Sequence, residues 1–322
     1  MPSNCSVRTL MMDRARSNSK RGSRTDNFHL ALVVECGGMR GVAGGGFMKV
    51  LSEARLQDSF DTLHGSSAGA CAAAFFMTQQ SEQGVRIFHE DICTRKIVNP
   101  FRFLSQPCMV DTDYIVDEII SKKRNLESDK IISAPGVLNI VTTSILDGLP
   151  AVHNSFENKD QLLRALKATL RVPGPFEYGI EIDGKRHLDG GLVAPISVSS
   201  AIDSGATHVL VVGTQRTQDY TADNTRNHIE AQALGLLYGR HLKLAYLNAH
   251  VADGRDWTTA RDLPVETDFL VRPKESTWCG WFTIDKETLR KVEAEAETTA
   301  RIYLGRGDNT RTTANGLHRF RC

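Results

Sequence analysis

The segment Gly65-Ser66-Ser67-Ala68-Gly69 constrains this chain more than any other. Thr62-Leu63-His64, which can end a strand, precedes it. The small apolar run Ala70-Cys71-Ala72-Ala73-Ala74-Phe75-Phe76-Met77, which favours helix, follows it. A G-x-S-x-G pattern between strand and helix puts its central serine on a sharp turn with the hydroxyl exposed. Ser67 is therefore a candidate nucleophile, and Gly65 and Gly69 allow the close backbone approach such a turn demands. Taken alone, the same five residues also describe a small-residue turn opening a buried helix.

A serine nucleophile needs a base, and attack on an acyl carbonyl needs donors for the oxyanion. The chain offers a candidate for each. His29–Glu35 reads as a buried strand, and Cys36-Gly37-Gly38-Met39-Arg40-Gly41 follows it before an apolar helix over Ala43–Arg55. A glycine loop between strand and helix presents backbone N–H groups to an anion. Neither G-x-G-x-x-G nor G-x-x-x-x-G-K-[ST] can be read in that segment, so nucleotide-loop patterns are absent from it. A plain tight turn is the simpler reading of the loop by itself. Glu181–Leu188 forms a hairpin pattern around Asp183-Gly184. Asp189-Gly190-Gly191 ends it, with Asp189 available either as a base or as a turn-capping carboxylate.

The order of these three motifs resembles the patatin-like phospholipase family, over roughly residues 28–215. The resemblance implies an α/β fold of three layers, α/β/α, around a central, mostly parallel sheet. It implies a Ser67 nucleophile and an Asp189 proton acceptor. It also implies an oxyanion hole from the loop Gly37, Gly38, Met39, Arg40 and Gly41 together with Ala68. Gly65, Gly69, Gly190 and Gly191 shape the motifs. Ala168-Thr169-Leu170-Arg171-Val172-Pro173 resembles the family's small-residue segment beneath the site. Two departures stand out: Cys36 replaces the loop's first glycine, and Leu170 and Arg171 make the segment before Pro173 bulkier. The implied activity is hydrolysis of carboxylic esters in (lyso)phospholipids or acylglycerols through an acyl-enzyme, with no cofactor and no metal. Transfer of the acyl group to an alcohol, and a lipid-binding pseudoenzyme, are the alternatives. A histidine triad is a third, with His208, His228, His241 or His250 completing Ser67 and Asp189.

Strand patterns recur at Thr62–His64, Val137–Ser144, Ala151–Asn154, Thr207–Val212 and Phe269–Val271. Helical patterns recur at Ala68–Thr78, Asp111–Lys122, Lys159–Thr169, Pro195–Asp203, Asn227–Leu247 and Lys286–Tyr303. This alternation predicts a mostly parallel sheet covered by helices. The expected organisation is one domain over residues 28–304, with motifs to 215 and a helical part from 216. Residues 1–27 and 305–322 form basic tails, the first expected to be disordered and the second to be loose. The first tail also has the Arg- and Ser-rich composition of an organelle transit peptide.

The net charge of +1 gives no global pull toward nucleic acid. Leu10-Met11-Met12 is too short for a secretory apolar core, and no apolar run reaches membrane-spanning length. The seven cysteines are scattered, odd in number and without C-x-x-C spacing, which fits free thiols in a reducing compartment rather than zinc ligands. A cytoplasmic protein is the resulting expectation, and the family resemblance implies a lipid substrate and peripheral membrane contact. The oligomeric state is unmarked. Trp278-Cys279-Gly280-Trp281-Phe282 fits either a lipid interface or a buried seat for the last helix, and Val98–Met109 either a lid or a covering loop.

Overall fold

Strand β1 (Leu30–Val34) shows why the fold needs two helical layers: all five residues are buried. Side chains alternate across a strand. Leu30, Leu32 and Val34 join one apolar core, while Ala31 and Val33 join a second on the opposite face. The computed structural model describes residues 5–101, 108–221, 225–259, 265–305 and 317–320. Its sheet comprises β1, β2 (Thr62–Ser66), β3 (Leu138–Ser144), β4 (Pro150–His153), β5 (Ile180–Ile182), β6 (Lys185–Asp189), β7 (His208–Arg216), β8 (Glu266–Arg272) and β9 (Leu317–Phe320). The order is β5-β6-β3-β2-β1-β7-β8-β9, with β4 also on β3. The central run β3-β2-β1-β7-β8 is parallel, and the outer strands are antiparallel. This is the three-layer, mostly parallel sheet expected from the sequence.

On one face lie helices α2 (Gly41–Glu53) and α3 (Ala68–Met77) and the helix Lys286–Tyr303. The helix Val198–Asp203 covers the other. A smaller core joins Leu188 and Leu192 to Leu234, Leu242 and Tyr246. The hairpin β5–β6 turns at Asp183 and Gly184, both at positive φ, as an Asp-Gly turn requires.

The N-terminal basic segment corrects the expectation of a disordered tail. Residues Val7–Arg16 form helix α1, with Val7, Leu10, Met11 and Arg14 buried. The Arg14 guanidinium donates to both oxygens of Asp26 (3.0 and 2.7 Å) and to Asp61 Oδ2 (2.7 Å). It also donates to the carbonyls of Phe28 and Ser59. Arg24 reaches the other Asp61 oxygen at 2.7 Å, and Arg21 donates to the Phe60 carbonyl. The bonds to Ser59, Phe60 and Asp61 tie the segment to the domain, through partners tens of residues away that local composition cannot display.

The single helix expected over Asn227–Leu247 is two, Thr225–Tyr238 and Arg240–Thr259. Gly239, at φ +102°, takes the left-handed conformation that ends the first. In the C-terminal segment expected to be loose, Leu317–Phe320 pairs antiparallel with β8, while residues 306–316 and 321–322 lie outside the described residues. Residues 102–107 of the loop read as either a lid or a covering loop also lie outside them.

Candidate active site

The nucleophile candidate sits at the joint the sequence suggested. Ser67 follows β2 and precedes α3 at φ +52°, ψ −129°, a region costly for a residue with a Cβ. Something must hold it there. Its N–H donates to Thr169 Oγ1 at 2.7 Å, and that hydroxyl donates to the Val141 carbonyl at 2.5 Å. Thr169 is fully buried. A side chain on Gly69 would overlap the Val34 carbonyl, so α3 can approach β1 only with glycine there.

The sheet register delivers the carboxylate. Ser66 is the β3 partner of Val141, and the next β3 residue, Thr142, pairs with Asp189. On its other edge Thr142 pairs with Ala151. Strands β2 and β6 thus meet end to end along one edge of β3, and 122 residues of chain separation collapse to one register step. Ser67 Oγ donates to Asp189 Oδ2 at 2.7 Å, and Gly191 N–H donates to Oδ1, also at 2.7 Å. Both side chains are buried. Burial pushes the Asp189 carboxyl up to about 6, against the lowering effect of these two hydrogen bonds. A side chain on Gly190 would overlap the Val141 carbonyl, so the chain turns away from β6 only with glycine there.

The glycine loop is held from elsewhere. The Glu35 carboxylate accepts from Thr214 N (2.5 Å), Gln215 Nε2 (3.0 Å) and Tyr220 OH (2.5 Å). Arg40 donates to Gln215 Oε1 at 3.3 Å and stacks over Trp281, 5.4 Å from the ring centre. A Cβ on Gly38, at φ +54°, would stand 2.9 Å from the Trp281 carbonyl oxygen. Several N–H groups of the expected oxyanion hole are already engaged. Met39 donates to Trp281 O, Arg40 to Gly37 O, and Gly41 to carbonyls of Gly38 and Met39. Cys36 N–H donates to Pro195 O. Among the described residues, the N–H groups of Gly37, Gly38 and Ala68 have no protein acceptor.

Two apolar cavities flank this arrangement. Gly38, Ala68, Cys71, Phe75 and Leu170 line one. Asp189, Gly191, Pro173, Leu234 and Phe282 line the other, of about 280 Å³. Trp281 borders both. The aromatic cluster is therefore divided: Cys279 is buried, Trp281 lines both cavities, and Trp278 is 63% exposed. The Arg171 guanidinium goes to Asp113 (2.9 Å) and Glu177 (3.6 Å).

Neither Asp189 oxygen is bonded to an imidazole among the described residues. His208 bonds the Cys5 carbonyl and His241 the Ile145 carbonyl. His64 lies between Thr62 and Ser200, and burial lowers its pKa to about 3. His250 comes nearest in bonding: Nε2 donates to the Gly191 carbonyl at 2.9 Å, and the ring stacks on Tyr246. Burial pushes it down to about 4. The sequence motifs gave no sign of this contact, nor of the Thr169 bond, although Thr169 lies in a segment already singled out. No three or more His, Cys, Asp or Glu among the described residues could hold a metal ion. No helix among them is long and apolar enough to cross a membrane.

Fold and geometry together define an α/β protein with a strand–serine–helix elbow facing a buried aspartate. The patatin-like phospholipase model matches residues 32–202, just over half of the chain, and the chain belongs to that family. It is 27% identical over 195 residues to the uncharacterized protein YjjU of Escherichia coli K12. That match covers 59% of this chain and 53% of YjjU, so the chain spans about half the length of the curated relative it matches. Among solved structures it is similar to VipD from Legionella pneumophila, at TM-score 0.43 and 11% identity, covering 86% of this chain and 67% of that one. It is also similar to human GIVD cytosolic phospholipase A2, at TM-score 0.42 and 11% identity, covering 94% and 61%.

Proposed function

We propose that this protein hydrolyses carboxylic esters of lipids, (lyso)phospholipids or acylglycerols, with Ser67 as nucleophile and Asp189 as its general base. The observation that carries the reading is the 2.7 Å hydrogen bond from Ser67 Oγ to a buried carboxylate, between two apolar cavities. Asp189 takes the hydroxyl proton as Ser67 Oγ bonds to the acyl carbon. The carbonyl oxygen becomes an oxyanion, and the N–H groups of Gly37, Gly38 and Ala68 are the donors left to receive it. Collapse expels the alcohol, which takes the proton back from Asp189, and leaves an ester on Ser67. Water then attacks that ester, gives a proton to Asp189, and releases the fatty acid as Ser67 regains its hydrogen.

Burial serves this cycle. An ordinary aspartate, with a pKa near 4, is a weak base. At about 6 the Asp189 carboxyl is a stronger one and is still largely ionised at neutral pH. The test is hydrolysis of a short p-nitrophenyl ester and a fluorogenic phospholipid by wild type, Ser67→Ala and Asp189→Asn. Activity in wild type, lost in both variants with an unchanged circular dichroism spectrum, is the expected result. Undiminished hydrolysis by Ser67→Ala would end the proposal. Added lipid alcohol that diverts the acyl group to a new ester would redefine the enzyme as a transferase.

A further inference from the structure

The helix Thr225–Tyr238 is apolar on two faces. Ala231 and Leu234 pack into the core with Leu188, Leu192 and Tyr246. Ile229 and Leu236 point outward and are 68% and 87% exposed. With Ala233 between them they form a stripe at helical spacing. Leu237, at the stripe's edge, is 40% exposed, and Ala233 and Leu237 also line the cavity that holds Asp189. The exposed apolar surface therefore runs without a break into the proposed site.

Two neighbouring elements extend it. On Arg240–Thr259, Leu244 is 45% exposed, and Lys243 Nζ donates to Gln232 Oε1 at 2.8 Å, which sets the two outward faces side by side. Beyond Pro173, Phe176 and Tyr178 are 61% and 70% exposed, and Tyr178 shares a surface groove with Leu237 and Arg186. Scattered exposed apolar residues need no explanation, but a contiguous patch at a cavity mouth does.

We propose that this face docks onto a phospholipid surface, with Ile229, Leu236 and Leu244 entering the acyl region and Arg240, Lys243 and Arg186 meeting the phosphates. This rests on the lipid-ester reading of the site and names the surface from which its substrate enters. The charges favour a lipid over a second copy of this chain. Arg240 lies one helical turn from Leu244 on an exposed face, and Lys243 beside it is bonded to a neutral amide. Arg186 has a carboxylate, Glu181, only at 3.9 Å. Cations flanking an apolar band suit lipid phosphates. A two-fold contact between copies would set the same cations against one another and close the cavity mouth.

The experiment is flotation of the full chain with vesicles of phosphatidylcholine, and of phosphatidylcholine with phosphatidylglycerol, alongside hydrolysis of a monomeric soluble ester. Wild type floats with both, and more strongly with the anionic vesicles. Ile229→Glu combined with Leu236→Glu lowers flotation at least about tenfold, since each removes an inserted aliphatic side chain, while soluble-ester hydrolysis stays within about twofold of wild type. Leu244→Glu, on the other helix, gives the same result in case the double variant fails to fold. Arg240→Glu removes only the preference for anionic vesicles. Undiminished flotation of the glutamate variants would overturn the proposal. So would failure of wild type to float, or a wild-type dimer that the same variants split. Flotation without hydrolysis of any ester would leave the docking face standing and remove the hydrolase reading.

Discussion

The loops after β1 and β2 begin alike and are held differently. Each leaves a central parallel strand, carries glycines and opens a helix. The β2 loop is fixed at one point: Ser67 takes φ +52° at the β2–α3 joint, and one hydroxyl, Thr169, satisfies its N–H. The β1 loop is fixed at several. Glu35 gathers donors from Thr214, Gln215 and Tyr220, and Trp281 receives the Met39 N–H. One loop thus holds a single serine through one buried hydroxyl. The other keeps N–H groups free by pinning the residues around them with side chains from β7 and the segment before the last helix.

The largest test of that division is at the elbow. Asp189→Asn should lower ester hydrolysis by about 10²–10⁴-fold, the usual value of a positioned base. The same change should stabilise the fold. Asp189 is raised from 3.8 to about 6, so the folded state binds its proton more tightly than the unfolded state. The sign follows: folding loses stability as pH rises from about 3.8 to about 6, and that penalty persists above it. Thermal melts should therefore show Asp189→Asn gaining on wild type above about pH 6 and showing no gain near pH 3.8. A variant less stable than wild type at every pH would contradict the assignment of burial as the cause.

Next in size is a paired substitution that joins the β1 loop to the turn after β6. A Cβ on Gly191 would stand 2.7 Å from Cys36 Sγ and 3.0 Å from Asp189 Oδ1. Gly191→Ala should cost about 1–3 kcal/mol as overpacking beside the Asp189 carboxylate and should reduce turnover. Cys36→Gly opens that space, and the double variant should recover most of both losses. Equal losses in the single and double variants would show that Cys36 and Gly191 do not share the space.

At the tether of the β1 loop, Glu35→Gln leaves an amide where a carboxylate now accepts donors from three residues. Burying the mismatch should cost about 1–3 kcal/mol in a denaturant melt and lower kcat more than it raises KM. The smallest effect falls on Thr169→Val, which unpairs Ser67 N–H and the Val141 carbonyl. About 1–2 kcal/mol of stability should go, with a several-fold drop in turnover. A Thr169→Ser variant should restore both.

The comparison also explains what the sequence could show. The turn at Ser67 and the close approaches at Gly69 and Gly190 were legible because a strained turn and a close backbone approach admit few residue types. The buried strand β1 was legible because five consecutive apolar residues leave few other readings. Glu35's partners, the Trp281 carbonyl and the Thr169 bond were not, since each depends on chain separations that only the sheet register resolves. The N-terminal helix was misread for the same reason. Arg14, Arg21 and Arg24 look like solvent charge until Asp26, Asp61 and the carbonyls of the β1–β2 connection are brought to them. The break at Gly239 was written in the sequence and lost among apolar residues that continue the pattern on both sides.

The central claim is that Ser67 is activated by Asp189. Its most direct test is mass-spectrometric mapping of the residue labelled by an alkyl fluorophosphonate, in wild type and in Asp189→Asn. The account predicts a single adduct on Ser67 in wild type, forming far more slowly once the carboxylate is gone. An adduct on another residue, or equal labelling rates in the two proteins, would contradict it.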